Sequence, residues 1–231
     1  MAGPLNGVGL VRSIISLFKL FIGVLQAIGL MLKYRPKALL MTGGWANVPL
    51  ALAGWLFRVP MLVYLPDIEP ALTINVLGKI AQKVAVTVPD SAQFFKPNQT
   101  VVTGYPLRQT MLNATREKGI AHFKLDASRP VVLVFGGSRG ARRINIALEN
   151  MLPPLLEKGV QVLHVTGALD WERSQAITAP IRTPDYHAMP YLHDDMGLAM
   201  ACADIVICRA GASTLGELPH FGLPSILVPL A

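Results

Sequence analysis

The sequence predicts an α/β protein built on parallel sheets, and three observations carry that prediction. Short β-rich runs alternate with helical patterns from residue 38 onward, the alternation lapses once in mid-chain, and it restarts with VVLVF at 131–135. Alternating strands and helices are the pattern of a parallel sheet with crossover helices. A lapse between two such series divides the chain into two domains.

In order, KALLMTGG (37–44), MLVYL (61–65), KVAVTV (83–88) and VVTG (101–104) read as strands, and ANVPLALAGWLF between the first two reads as a helix. After Arg108 the sequence turns polar and loses periodicity over RQTMLNATREKGIAHFKLDASRP, which reads as a linker. The predicted division is a domain over 1–106, a linker over 107–127 and a domain over 128–231. Strands resume with VVLVF and continue with QVLHVTG (161–167), YHAMPYL (186–192), DIVICR (204–209) and PSILVPL (224–230). Both ends read as cut, since the first half opens on a helix without a leading strand and the second stops directly after one.

Charge is distributed unevenly along the chain. Of the net +7, six basic residues (Arg12, Lys19, Lys33, Arg35, Lys37 and Arg58) precede Asp67, the first acidic residue. A single-sign surface of this kind attracts anionic lipid or nucleic acid. The apolar content, 52% hydrophobic against 15% charged, decides for lipid.

IISLFKLFIGVLQAIGLML (14–32) is nearly all apolar apart from Lys19 and Gln26. It is open to three readings: an interfacial or partly buried helix, an ordinary domain helix, or a span, for which about 20 residues suffice. Lys19 and Gln26 interrupt it and no small-residue cleavage site follows, which counts against both a simple span and a signal peptide. Cys202 and Cys208 lie in apolar runs without metal-ligand spacing and read as buried thiols.

The turn in VVLVFGGSRGARRIN carries Gly136, Gly137 and Gly140 between a strand and a helix start, where backbone N–H groups and the helix dipole suit a phosphate. A rival reading is the nucleotide turn of a short-chain dehydrogenase. Against it, the next strand ends without an acidic ribose ligand, and no Tyr-x-x-x-Lys pair exists in the chain.

A second constellation spans 194–229. A strand delivers Arg209 to its C-terminal end, Gly211 permits a tight turn, and Ser213 or Thr214 can cap a helix whose second turn displays Glu217. An arginine suits a diphosphate through its forked donors, and a carboxylate one turn into the helix can accept two ribose hydroxyls. His193 and His220 read as solvated or capping residues, not bases.

Together with GGSRGA, MTGGW and GYPLR, the Arg-x-Gly-Ala-x-Thr-x-x-Glu pattern at 209–217 resembles the MurG family of peptidoglycan glycosyltransferases, across essentially the whole chain and in the same order. The resemblance implies the GT-B fold, two Rossmann-like domains facing a cleft, both incomplete here. It implies inverting transfer of N-acetylglucosamine from UDP-GlcNAc to a lipid-linked, undecaprenyl-carried acceptor, on the cytoplasmic side of the cell membrane. By the same resemblance, Glu217 is the ribose ligand, Arg209 lies near the donor diphosphate, Ser138 and Arg108 contact donor phosphate, and the Leu192 backbone recognises uracil. Gly43, Gly44 and Trp45 match an acceptor-side glycine loop, and residues 12–37 match a patch that faces the anionic membrane surface.

No nucleic-acid partner, cofactor or metal is implied. The chain lacks the family's GGTGGH-like loop with its candidate histidine, so no catalytic residue is identifiable. Tyr64-Leu65-Pro66-Asp67 stands in place of a His-Glu-Gln-Asn segment, and the glutamines that follow LVPLA in the family are missing. Another lipid-directed GT-B enzyme and a noncatalytic UDP-binding membrane adaptor remain open alternatives.

Overall fold

A computed structural model describes residues 10–181 and 183–229. The chain divides between Tyr105 and Pro106 into two compact units. Each holds one sheet in which every pairing is parallel, of four strands in the first unit and five in the second.

In the first unit β1 (Leu39–Met41), β2 (Met61–Leu65), β3 (Lys83–Val86) and β4 (Thr100–Val102) lie in sequence order. Helices α1 (Leu10–Tyr34), α2 (Asn47–Leu56) and α3 (Leu72–Ile80) bury Ala27, Met31, Ala51 and Leu77 in one core with Met41, Met61, Val63, Val84 and Val86 of the sheet. The strand alternation decides which side chains join that core. Leu40 and Leu62, paired in register, point the other way and stay 69% and 38% exposed.

The predicted apolar helix at 14–32 is the body of α1. Among the described residues no helix is long and apolar enough to cross a membrane, so the spanning reading falls. Ala27 and Met31, one turn apart, pack inward, and Gly23 brings α1 close to Pro49 of α2. Phe18, Phe21 and Leu25 remain more than half exposed on the other side. The Arg12 side chain, and Leu230 at the end of the last predicted strand, lie outside the described residues.

Residues 107–127 are not a periodless linker. They contain α4 (Gln109–Leu112) and α5 (Arg116–Phe123), and Met111, Phe123 and Leu125 enter the core of the second unit. Thr115 caps α5, its hydroxyl accepting from the Lys118 N–H at 3.4 Å. The apolar positions are too few for a visible helical period. What holds α5 is close packing on α8 (Met196–Cys202): a Cβ on Gly119 would stand 2.3 Å from the Leu198 carbonyl oxygen. Arg116 then donates to the Cys202 carbonyl at 2.8 Å and pairs with Asp204 at 3.0 Å.

The second sheet contains β5 (Val131–Phe135), β6 (Gln161–Val165), β7 (Tyr186–Met189), β8 (Ile205–Arg209) and β9 (Ser225–Val228), in the order β7-β6-β5-β8-β9. β5 and β6 are buried along their whole length, as expected of central strands covered on both faces. The order reverses beside β5, so the loops leaving β5 and β8 part at their C-terminal ends. An open α/β sheet binds its ligand in that crevice. The remaining helices are α6 (Arg142–Glu157), α7 (Trp171–Thr178) and α9 (Ala212–Phe221).

Candidate functional site

A cavity of about 250 Å³ opens at the C-terminal ends of the second sheet. The predicted donor-side residues Arg108, Gly137, Ser138, Leu192 and Glu217 line it. They come from three loops and one helix, which the topology gathers at one edge. Gly137 and Ser138 follow β5, Leu192 follows β7, and Glu217 sits in the second turn of α9 after β8. Arg108 reaches in from just before α4.

The wall is chemically mixed. Burial pushes the Glu217 carboxyl up from its ordinary value, while the positive charge of Arg108 pulls it back. Arg108 is half-exposed, with its guanidinium 3.5 Å from the His193 carbonyl oxygen and 3.9 Å from the Asp194 carboxylate. The 136–140 turn lies immediately before the sixteen-residue helix α6, whose first N–H groups have no intrahelical acceptor. A cation, a helix N-terminus and a recessed carboxylate suit an anion that also carries hydroxyls.

Not every sequence candidate gathers here. Arg209 ends β8 but is not part of the lining. Ser213 and Thr214 do not cap α9: its N-cap is Gly211, with no side-chain capping bond, and the two hydroxyl residues lie in the first turn and line the cavity. His193 and His220 lie outside the lining. Tyr191, on the cavity wall and packed edge-on against His193 at 4.7 Å, carried no sequence signal. Among the described residues no group of three or more His, Cys, Asp or Glu could hold a metal ion.

Gly43, Gly44 and Trp45 belong to the first unit. Gly44 and Trp45 face Lys19, Gly23 and Ala27 of α1 across an apolar hollow of about 800 Å³. Gly43 accepts a hydrogen bond from the Asn47 side-chain amide at its carbonyl. The glycine loop is thus adjacent to the basic, apolar helix, a proximity invisible in one dimension.

Residues 131–231 match the glycosyltransferase family 28 C-terminal domain. Over 97% of its length the chain is 37% identical to a UDP-N-acetylglucosamine--N-acetylmuramyl-(pentapeptide) pyrophosphoryl-undecaprenol N-acetylglucosamine transferase of Roseiflexus sp.. It is 32% identical over 94% to the protein of the same name in Acetivibrio thermocellus. The chain spans 58% and 59% of the length of these relatives. Among solved structures, MurG of Acinetobacter baumannii superposes with a TM-score of 0.66 at 26% identity, over 93% of this chain and 58% of that one. A UDP-N-acetylglucosamine 2-epimerase from Listeria monocytogenes shares the fold with a TM-score of 0.68 at 13% identity, over 96% of this chain and 63% of that one.

Proposed function

We propose that this chain is a glycosyltransferase of the MurG family, and that it serves transfer of N-acetylglucosamine from UDP-GlcNAc to the lipid-linked muramyl-pentapeptide acceptor. The observation that carries the reading is the meeting of Arg108, Ser138, Leu192 and Glu217 in one cavity at the strand ends. Glu217 accepts the ribose hydroxyls and the Leu192 backbone meets uracil. Arg108 and the amides of the 136–140 turn face the diphosphate, with Arg209 nearby. An acceptor hydroxyl attacks the anomeric carbon from the opposite side, the bond to the diphosphate oxygen breaks, and configuration inverts. Donors aimed at the departing UDP lower the barrier by meeting charge as it develops.

Titration of the purified chain with UDP-GlcNAc and with NADP tests the donor site. Saturable UDP-GlcNAc binding is expected, weakened about tenfold in Glu217→Gln, because a charge-assisted bond to ribose is replaced by a neutral one. Binding of NADP alone would sink the assignment. Donor binding without turnover would favour a UDP-binding adaptor.

The acceptor side of the proposal is the first unit. Gly43, Gly44 and Trp45 meet the acceptor diphosphate, and the exposed Phe18, Phe21 and Leu25 lie at the cytoplasmic membrane surface with Lys19 and Lys33. Trp55, Leu56 and Phe57, 61%, 61% and 39% exposed at the end of α2, extend the same apolar character just before Arg58. Sedimentation with vesicles should show binding to anionic but not to zwitterionic lipid, falling as salt is raised. Phe18→Ser with Phe21→Ser should weaken it about tenfold or more. Equal binding to both lipid types would remove the electrostatic part of the proposal.

A further inference from the structure

Behind the 136–140 turn lies a buried polar network that none of the donor contacts uses. Its centre is Asp170, at the end of the loop that follows β6 and directly before α7. The carboxylate accepts from the Asn145 side-chain amide at 2.7 Å and from the Arg173 guanidinium at 2.8 and 2.7 Å. Arg173 forks to Glu149 of α6 at 2.8 and 2.9 Å, and Glu149 also accepts from the Ser174 hydroxyl at 2.7 Å. Asn145 donates a second bond to the Thr166 carbonyl at 2.9 Å. α6, α7 and the 166–170 loop are thereby tied at one point.

That loop is the floor of the glycine turn. Gly140 and Gly167 meet backbone to backbone so closely that a Cβ on Gly167 would stand 2.2 Å from the Gly140 Cα. The Ala168 N–H points at the Ser138 carbonyl at 3.4 Å, and the Asp170 N–H closes the loop on the Gly167 carbonyl at 3.3 Å. Arg142, the first residue of α6, stands 3.8 Å from the same carboxylate. A shift of the floor therefore moves the amides above it.

Resting on the donor reading given above, we propose that Asp170 is a positioning residue for the donor diphosphate: it pins the 166–170 loop to α6 and so holds the 136–140 turn with its amides toward the phosphates. Its contacts suit the task. Bonds from Arg173, and then from Asn145, hold the carboxyl down at about 2, so the anchor stays charged at neutral pH. The Asp170 Oδ2 that accepts from Asn145 is itself held by Arg173, and its charge fixes the direction of Asn145 more tightly than a neutral acceptor would.

The test compares UDP with uridine, which share the base and ribose contacts and differ only in phosphate. In the full chain, Asp170→Ala should lower UDP affinity about tenfold while uridine affinity stays within about twofold. Asp170→Asn, whose amide oxygen still accepts from Asn145, should recover most of that loss. If Asp170→Ala does not fold, Arg173→Gln leaves the Asn145 bond in place and should still cost UDP about threefold with uridine unchanged. A purely structural role predicts equal losses for both ligands, or a lower melting temperature with an unchanged UDP-to-uridine ratio, and either result overturns the proposal. Wild-type chain that binds uridine but gains nothing from the diphosphate overturns it as well. Wild-type chain that binds neither ligand removes the donor reading itself, and this inference with it.

Discussion

Gly140→Ala is expected to destabilise the second unit by about 2–5 kcal/mol and to abolish UDP binding. Gly140 has φ +83°, in the left-handed region where a side chain costs about 1–2 kcal/mol. A Cβ there would also stand 2.2 Å from the Thr166 carbonyl oxygen and 3.2 Å from the Gly167 Cα. Both obstacles are backbone, so no side-chain rotation relieves the contact. Either the turn or the floor must move, and the turn carries the amides proposed to face the phosphates. Hydrogen exchange localises the effect. Amides of β5 and β6 should lose protection, while those of β2 in the first unit should keep theirs. Unchanged protection in β5, together with intact UDP affinity, would show that the turn tolerates a displaced floor.

Acid should destabilise the second unit through His164, over a defined window. His164 is fully buried on β6, with its ring nitrogens 2.9 Å from the Tyr186 hydroxyl and 3.1 Å from the Asn145 side-chain oxygen. The Asn145 oxygen can only accept, so Nε2 carries the proton and Nδ1 accepts from Tyr186. A second proton has no acceptor in this arrangement unless Tyr186 turns its hydroxyl. Burial pushes the imidazole down to about 4, against 6.5 for the free side chain.

Between those two values the unfolded chain takes up a proton that the folded chain refuses, so stability falls as pH drops through the window. Above about 6.5 neither state is protonated and nothing is lost; below about 4 both are, and the loss is complete at about 3 kcal/mol. Denaturant melts from pH 7 to 4 should show this slope, and His164→Gln should flatten it. The carboxyl of Asp170, held at about 2 against 3.8 for the free side chain, loses most of its contribution below pH 4 and adds little to the slope above it. A slope that survives the substitution would assign acid sensitivity to other groups.

Much of the fold was legible because its signals are local. Nine strands were read from β-rich runs, and all nine occur, usually shorter by a few residues at their ends. KALLMTGG, for example, keeps only Leu39–Met41 as strand, because the glycines beyond it turn the chain. The linker was misread because α5 depends on a glycine contact with α8 about 80 residues away, and no periodicity announces such a contact. The capping of α9 was misread for a smaller reason. A hydroxyl residue near a helix start marks the region but not the position, and Gly211 took the cap itself.

Residue chemistry alone marked a glycine turn ahead of a helix as suited to a phosphate and a glutamate one turn into α9 as suited to ribose hydroxyls, while the arginine in GYPLR came only from the family resemblance. It also determined the basic, apolar character of the first 66 residues. Tertiary structure alone decided which of these meet. The strand order β7-β6-β5-β8-β9 brings residues 108, 138, 192 and 217 to one cavity and leaves Arg209 outside its lining. It also joins Asn145, Glu149, His164, Asp170 and Arg173 into a buried network in which each, taken singly, reads as an ordinary polar residue. Composition and spacing act along the chain, whereas hydrogen bonds and burial act across it, and only packing chooses the partners.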